Sequence, residues 1–257
     1  VDPPRSAVIA VLAHDAVRLP NGVVLAEPQS AAPFADVAEA TSARIGRRCV
    51  RFDGPAGSLS VRVSRWWRPR PPRPLTRDDA AAATRAAARL RDALTGVTGG
   101  LPAEATAPLH TALDGADRAE RACAGLIGLG PGLTPSGDDA VCGFLLAVRH
   151  LGGPSLCRPL ADAALARAAT ATTALSASLI AHAARGESCP EATDLLDAAA
   201  GHGPVGPALA ALRAIGHTSG TDLALGVLAG ALAVSRTRPG PSGAADSTQQ
   251  TRSTRDH

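Results

Sequence analysis

The 257-residue chain contains no lysine, no tyrosine and no methionine, and its aromatic residues are two tryptophans and three phenylalanines. Without lysine there is no Schiff-base amine and no lysine-bearing phosphate loop. So few aromatics make a poor stacking platform for single-stranded nucleic acid. Charge of either sign is also scarce in net terms, because 26 basic residues against 23 acidic ones leave only +3. That excess is too small to argue for nucleic acid as a partner. The five cysteines, Cys49, Cys123, Cys142, Cys157 and Cys189, are odd in number and scattered, with no C-x-x-C spacing. They exclude a disulfide framework and a zinc finger, and read as reduced core residues. Near the start, the apolar run from Ala7 to Ala13 is about seven residues and lacks a basic lead, too short for a signal peptide or a membrane span. No membrane partner is expected, and a cytoplasmic location is the default.

What is present falls into two patterns. Residues 1–67 carry strand signals: "SAVIAVLAH" and "VRLPNGVVLAE" surround Pro20-Asn21-Gly22, a turn that predicts a hairpin, and "RCVRF" and "SLSVRVSRWW" repeat the theme. Residues 68–77, "RPRPPRPLTR", read as a proline-stiffened linker. The arginines from Arg62 to Arg77 with Trp66 and Trp67 leave open a partner-contact strip. From 78 to 235 the period becomes helical. A Thr76/Asp79 capping signature and a stop at Gly96 frame the first helix. Further helices are expected near 103–113, 115–127, 137–151, 158–184, 191–200, 205–215 and 220–235, and a disordered polar tail over 236–257. The fold class is therefore α+β, a small β unit followed by a larger helical domain.

One stretch concentrates unusual residues. "GLGPGLTPSGDDAVCGF" (128–144) places glycines, among them Gly130, Gly132 and Gly137, and the adjacent Asp138 and Asp139 at the start of an apolar helix. A glycine-rich approach to a helix N-terminus offers unpaired N–H groups and a favourable dipole to an anion. The two carboxylates would compete with that anion unless one is a base or both hold a metal such as Mg²⁺. Simple capping is the other reading, with Thr134 or Ser136 as cap and Asp139 completing a capping box. No other cofactor is indicated, since neither G-x-G-x-x-G nor a G-K-[ST] ending is present.

A second stretch echoes the first. "SGDDAVCGFLLA" (136–147) aligns without gaps with "SGTDLALGVLAG" (219–230), sharing Ser136/Ser219, Gly137/Gly220, Asp139/Asp222, Gly143/Gly226 and Leu145/Leu228. Capping explains the serines and aspartates, but a glycine inside a helix costs about 1 kcal/mol against alanine. Close contact between the two copies would offset that cost. Their N-termini would then converge on one cleft holding Asp138, Asp139, Asp222, His217, Thr218, Ser219 and Gly220. A third element, "TATTALSASL", puts Thr173 and Ser176 on one helical face, where they contact either a ligand or their own helix carbonyls.

With "GLGPGLTPSGDD", "TTALSASL" and "IGHTSGTDLALG" taken together, the chain resembles the bacterial family that includes the AllH-type subunit of oxamate carbamoyltransferase, over roughly 120–235 and more loosely in "HDAVRLPNGVVL". The resemblance implies a multi-subunit enzyme of allantoin and purine degradation that exchanges a carbamoyl group between oxalurate and phosphate, giving oxamate and carbamoyl phosphate. It implies partner subunits and a small-molecule substrate. The expected roles are substrate binding by Gly130, Gly132, Thr134, Ser136, Gly137, Thr173, Ser176, Thr218, Ser219, Gly220 and Asp222, with Asp138, Asp139 and His217 catalytic. Two other readings remain: a regulatory or scaffold subunit that senses a small carboxylate in the same cleft, and an interaction protein working through its Arg/Trp strip.

Overall fold

The computed structural model describes residues 8–35, 42–46, 48–54, 57–75 and 81–237. It is α+β. Among the described residues five short strands, β1 (Ala10–Leu12), β2 (Gly22–Val24), β3 (Ser42–Gly46), β4 (Cys49–Gly54) and β5 (Gly57–Arg62), with a 3-10 turn (Gln29–Ala31) between β2 and β3, precede the larger helical region. Its elements are α1 (Ala82–Ala93), a 3-10 segment (Ala103–Thr111), α2 (Ala116–Leu126), α3 (Ser136–Ala147), α4 (Pro154–Ala171), α5 (Ala174–Arg185), α6 (Pro190–Asp197), α7 (Val205–Arg213) and α8 (Ser219–Thr237). Both α3 and α6 run on into a π-helical turn.

The strands form two sheets. β3, β4 and β5 make an antiparallel meander whose register aligns Ile45, Val50 and Val61, and beside them Ala43, Phe52 and Leu59, on one apolar face. β1 and β2 pair in parallel, Ala10 opposite Gly22 and Leu12 opposite Val24, which corrects the expected hairpin. The chain turns at Ala13–Ala16, runs back, and turns again where the Gly22 amide donates to the Leu19 carbonyl at 2.9 Å. Asn21 supplies an anchor instead of a two-residue loop: its Nδ2 donates to the Val8 carbonyl at 3.1 Å and to Ser178 Oγ on α5 at 3.2 Å.

The core is centred on α3, every residue of which is buried. A helix with no polar face belongs inside the domain, and its principal neighbour is α8. The expected mid-helix compensation is present. A Cβ on Gly143 would collide with the Leu223 carbonyl of α8, and one on Gly226 with the Ala140 carbonyl of α3. The two sites are equivalent in the aligned stretches, so α3 and α8 touch backbone to backbone through matching glycines.

Several boundaries depart from the sequence reading. The single helix expected over 158–184 is two, because Thr172 is extended (φ −141°, ψ −178°) and Thr173 caps α5 by accepting the Ser176 amide at 3.1 Å. The helix expected near 103–113 is a 3-10 segment with Pro108 inside it. Gly96 ends the α1 region at φ +73°, as its position predicts. The Thr76/Asp79 cap and the tail from 238 onward lie outside the described residues, while Arg236 and Thr237 are the last residues of α8.

The described part of the expected linker is fastened at Arg70 and Arg73. Arg70 bonds Asp197 and Asp194, both at 2.6 Å, the Arg73 amide donates to Asp197 at 2.7 Å, and Thr193 Oγ1 donates to the Arg70 carbonyl at 3.3 Å. Burial alone would raise the Asp197 carboxyl. The hydrogen bonds from Arg70 and the Arg73 amide, with the Arg70 and His150 charges, together outweigh it and hold that carboxyl below its ordinary range. Trp66 is 77% exposed.

Candidate functional site

The N-termini of α3 and α8 meet, and their hydroxyls face each other instead of capping their own helices. Pro135 occupies the cap position of α3 with no side-chain cap bond. Thr134 Oγ1 lies 3.1 Å from Ser219 Oγ, and Ser136 Oγ lies 3.5 Å from Thr218 Oγ1. The capping box that was the other reading is not formed, and each hydroxyl instead pairs with one at the other helix terminus.

The helix amides are already engaged. Gly137 donates to the Leu129 carbonyl at 2.8 Å, Asp138 and Asp139 donate to Pro135 at 2.9 and 3.1 Å, and Gly220 donates to Ile215 at 3.2 Å. The glycines serve close approach: a Cβ on Gly137 would meet the Leu126 carbonyl at the end of α2, and one on Gly220 the Leu212 carbonyl of α7. Gly130 adopts φ +117° with its Cβ position 2.8 Å from the Ser136 nitrogen, and Gly132 adopts φ +90° in open space. These residues shape the loop, and the Gly137, Asp138, Asp139 and Gly220 amides are not free for an anion.

The adjacent aspartates do different work. Asp138 is fully buried and satisfied: Oδ1 accepts the Gly128 amide at 2.7 Å, and Oδ2 accepts the hydroxyls of Thr172 and, at 2.6 Å, Ser176. Thr173 Oγ1 donates to the Leu133 carbonyl at 2.6 Å. Together these bonds fasten the glycine-rich loop to the α4–α5 junction. With both its oxygens so used, Asp138 does not fit a metal, and among the described residues no group of three or more His, Cys, Asp or Glu gathers to hold one.

Asp139 is 7% exposed, and its Oδ2 is buried with no hydrogen-bond partner among the described residues. Burial pushes its pKa up to about 8. The Ser219 and Thr134 hydroxyls pull the other way, and the charges of Asp222 and Asp138 reinforce the rise. At neutral pH Asp139 is thus mostly a neutral acid, able to donate as well as accept.

Asp139 lines a cavity of about 260 Å³. Thr134, Ser219 and Ser188 add polar groups to a wall otherwise made by residues such as Cys142, Leu146, Leu179, Cys189, Leu212 and Leu223. Val17, Leu19 and Pro20 close it from the N-terminal unit. Burial raises both cysteine thiols, Cys189 to about 12, so neither is a thiolate at neutral pH. Glu187, also on the wall, accepts from Arg185 and contacts His182 Nδ1 at 2.6 Å. A small concave apolar space with a few polar groups and one displaced pKa has the character of a ligand site.

Asp222 is the counterpart of Asp139 on α8 and is fully buried. Its Oδ1 accepts the Gly100 amide at 2.9 Å, and its Oδ2 is buried without a partner among the described residues. The Gly99–Gly100 segment lies over it so closely that a Cβ on either glycine would strike Asp222, Ser136 or Thr218. His217 is exposed and lies off the cavity wall that its neighbours Gly216 and Ser219 form.

Sequence reasoning grouped Asp139, Asp222 and Ser219 through the repeat and named Thr134 as a candidate cap of the first helix. It missed Gly99–Gly100, for which the paired glycines of "GVTGGLP" were the available signal, and the hydrophobic wall, which no local pattern marks. No helix of the described residues is long and apolar enough to cross a membrane. No solved structure matches the chain. The glycine-rich loop, α3, the α4–α5 junction and most of α8 all fall within residues 126–231, and these residues match the family model described as oxamate carbamoyltransferase subunit AllH.

Proposed function

We propose that this protein is a subunit of an oxamate carbamoyltransferase of purine-derived allantoin breakdown, and that the cavity at Asp139 receives the carbamoyl-bearing molecule. The observation that carries the reading is the buried, unpartnered Oδ2 of Asp139 on the wall of a small cavity built mainly by the segment that matches the family. In phosphorolysis of oxalurate, a phosphate oxygen attacks the carbamoyl carbon, the C–O bond forms, the C–N bond breaks, and the departing oxamate nitrogen takes a proton. A mostly neutral Asp139 is suited to give that proton and, in the reverse direction, to take it back. The Ser219 and Thr134 hydroxyls hold the carboxyl and can orient the amide.

Among the described residues no arginine lines the cavity, and phosphate, a dianion, needs cationic or amide donors. In this reading those donors come from a partner subunit, which gives the multi-subunit assembly a chemical reason. The same observation favours a second reading, a regulatory subunit that binds the small acid while another chain performs the chemistry.

The test is oxalurate phosphorolysis by the purified protein with and without its partner subunits. Carbamoyl phosphate should form in the assembly, and Asp139→Asn should slow it by about 10²-fold, the usual contribution of a general acid. Undiminished turnover in that variant would remove Asp139 from the chemistry. Turnover by the partners alone, with oxamate still binding this chain, would establish the regulatory role.

A further inference from the structure

The two polar clusters at the α3–α8 contact are pseudo-equivalent, and one of them is occupied by the protein itself. In each, an aspartate of one helix and the first-turn serine of the other share a place: Ser219 hydrogen-bonds Asp139, and Asp222 and Ser136 both border the Gly100 position. Each has a threonine hydroxyl beside the serine, Thr134 in the first and Thr218 in the second. At Asp222 the Gly99–Gly100 peptide fills the place, its N–H donating to Asp222 Oδ1 while the Gly100 α-carbon lies against Ser136 and Thr218. At Asp139 the corresponding place is the cavity.

We infer that the cavity is a receptor for an amide group, which Asp139 reads as Asp222 reads the Gly100 peptide. This inference rests on taking the cavity as the functional site. The ligand N–H donates to one oxygen of Asp139, and the other, when protonated, donates to the ligand carbonyl, a pairing that a ketone or ester of the same shape cannot complete. Asp139 is thereby the specificity-determining residue. Rejection of an isostere that lacks the N–H follows from leaving a buried polar group unpaired. The apolar wall packs against the acyl carbons of a small amide.

Oxamate and pyruvate test this directly, because they differ only by NH₂ in place of CH₃. Calorimetric titration of the whole protein should show oxamate binding at least about tenfold more tightly than pyruvate, and N,N-dimethyloxamate binding no better than pyruvate. Asp139→Ala should abolish the difference, while Asp139→Asn, which keeps a donor and an acceptor, should retain most of it. Equal binding of oxamate and pyruvate, binding of neither, or discrimination that survives in Asp139→Ala overturns the inference. So does its loss in Asp139→Asn with a cooperative melt. Discrimination without oxalurate phosphorolysis leaves the amide receptor standing and removes the transfer reaction, and the converse result does the reverse.

Discussion

Asp138 and Asp139 are adjacent in the chain and opposite in consequence. Successive helical residues point about 100° apart, which turns Asp138 toward Gly128, Thr172 and Ser176 and leaves Asp139 on the cavity. A pKa raised from 3.8 to about 8 means that the folded protein holds the Asp139 proton more tightly than the unfolded chain does. Its contribution to stability is therefore fully present below about pH 4, is lost as pH rises toward about 8, and changes little beyond that. The groups facing it are Asp222 on α8, Asp138 and Cys142 on α3, and Glu187 and Cys189 across the cavity. Asp139→Asn should accordingly raise the melting temperature near pH 8 and have little effect near pH 4, as thermal melts across that range will show. A gain independent of pH would mean that Asp139 is ionised in the folded protein. The sequence made both aspartates candidates and could not separate them, because the difference lies in neighbours tens of positions away.

At the scale of elements, the contact between α3 and α8 organises the domain. Its repeat was legible because close helix contact demands glycine at matching places, and Gly143 and Gly226 meet that demand. Replacing Gly226 by alanine should add helix propensity worth about 1 kcal/mol, yet it would drive a methyl group into the Ala140 carbonyl. We expect a net loss of about 1–3 kcal/mol, read from urea denaturation. A stabilised variant would contradict backbone contact at this site. The parallel pairing of β1 and β2 was not legible, because turn chemistry at Pro20-Asn21-Gly22 reports a local bend and not the direction of the strand beyond it. The break at Thr172–Thr173 was hidden for a related reason. Alanine-rich flanks favour helix on both sides, and what stops it is the pull of Asp138 and the Leu133 carbonyl on the two hydroxyls.

The whole molecule is arranged around the same contact. A small β unit followed by a larger helical region was legible in the sequence; within residues 68–77, read there as a linker, Arg70 and Arg73 pair with Asp194 and Asp197. Polyproline composition alone carries no information about such distant carboxylates. The N-terminal unit also supplies Val17, Leu19 and Pro20 to the cavity, so the site belongs to both parts of the chain. A crystal structure of the protein with oxamate decides whether this cavity, at Asp139, holds a small acyl amide. The amide should lie within hydrogen-bond distance of Asp139 Oδ2 and Ser219 Oγ, under Leu19 and Pro20, with Asp138 still bound to Thr172 and Ser176. Oxamate seated elsewhere, or an Asp139 carboxyl that makes no contact with it, would show that the cavity is not an amide site.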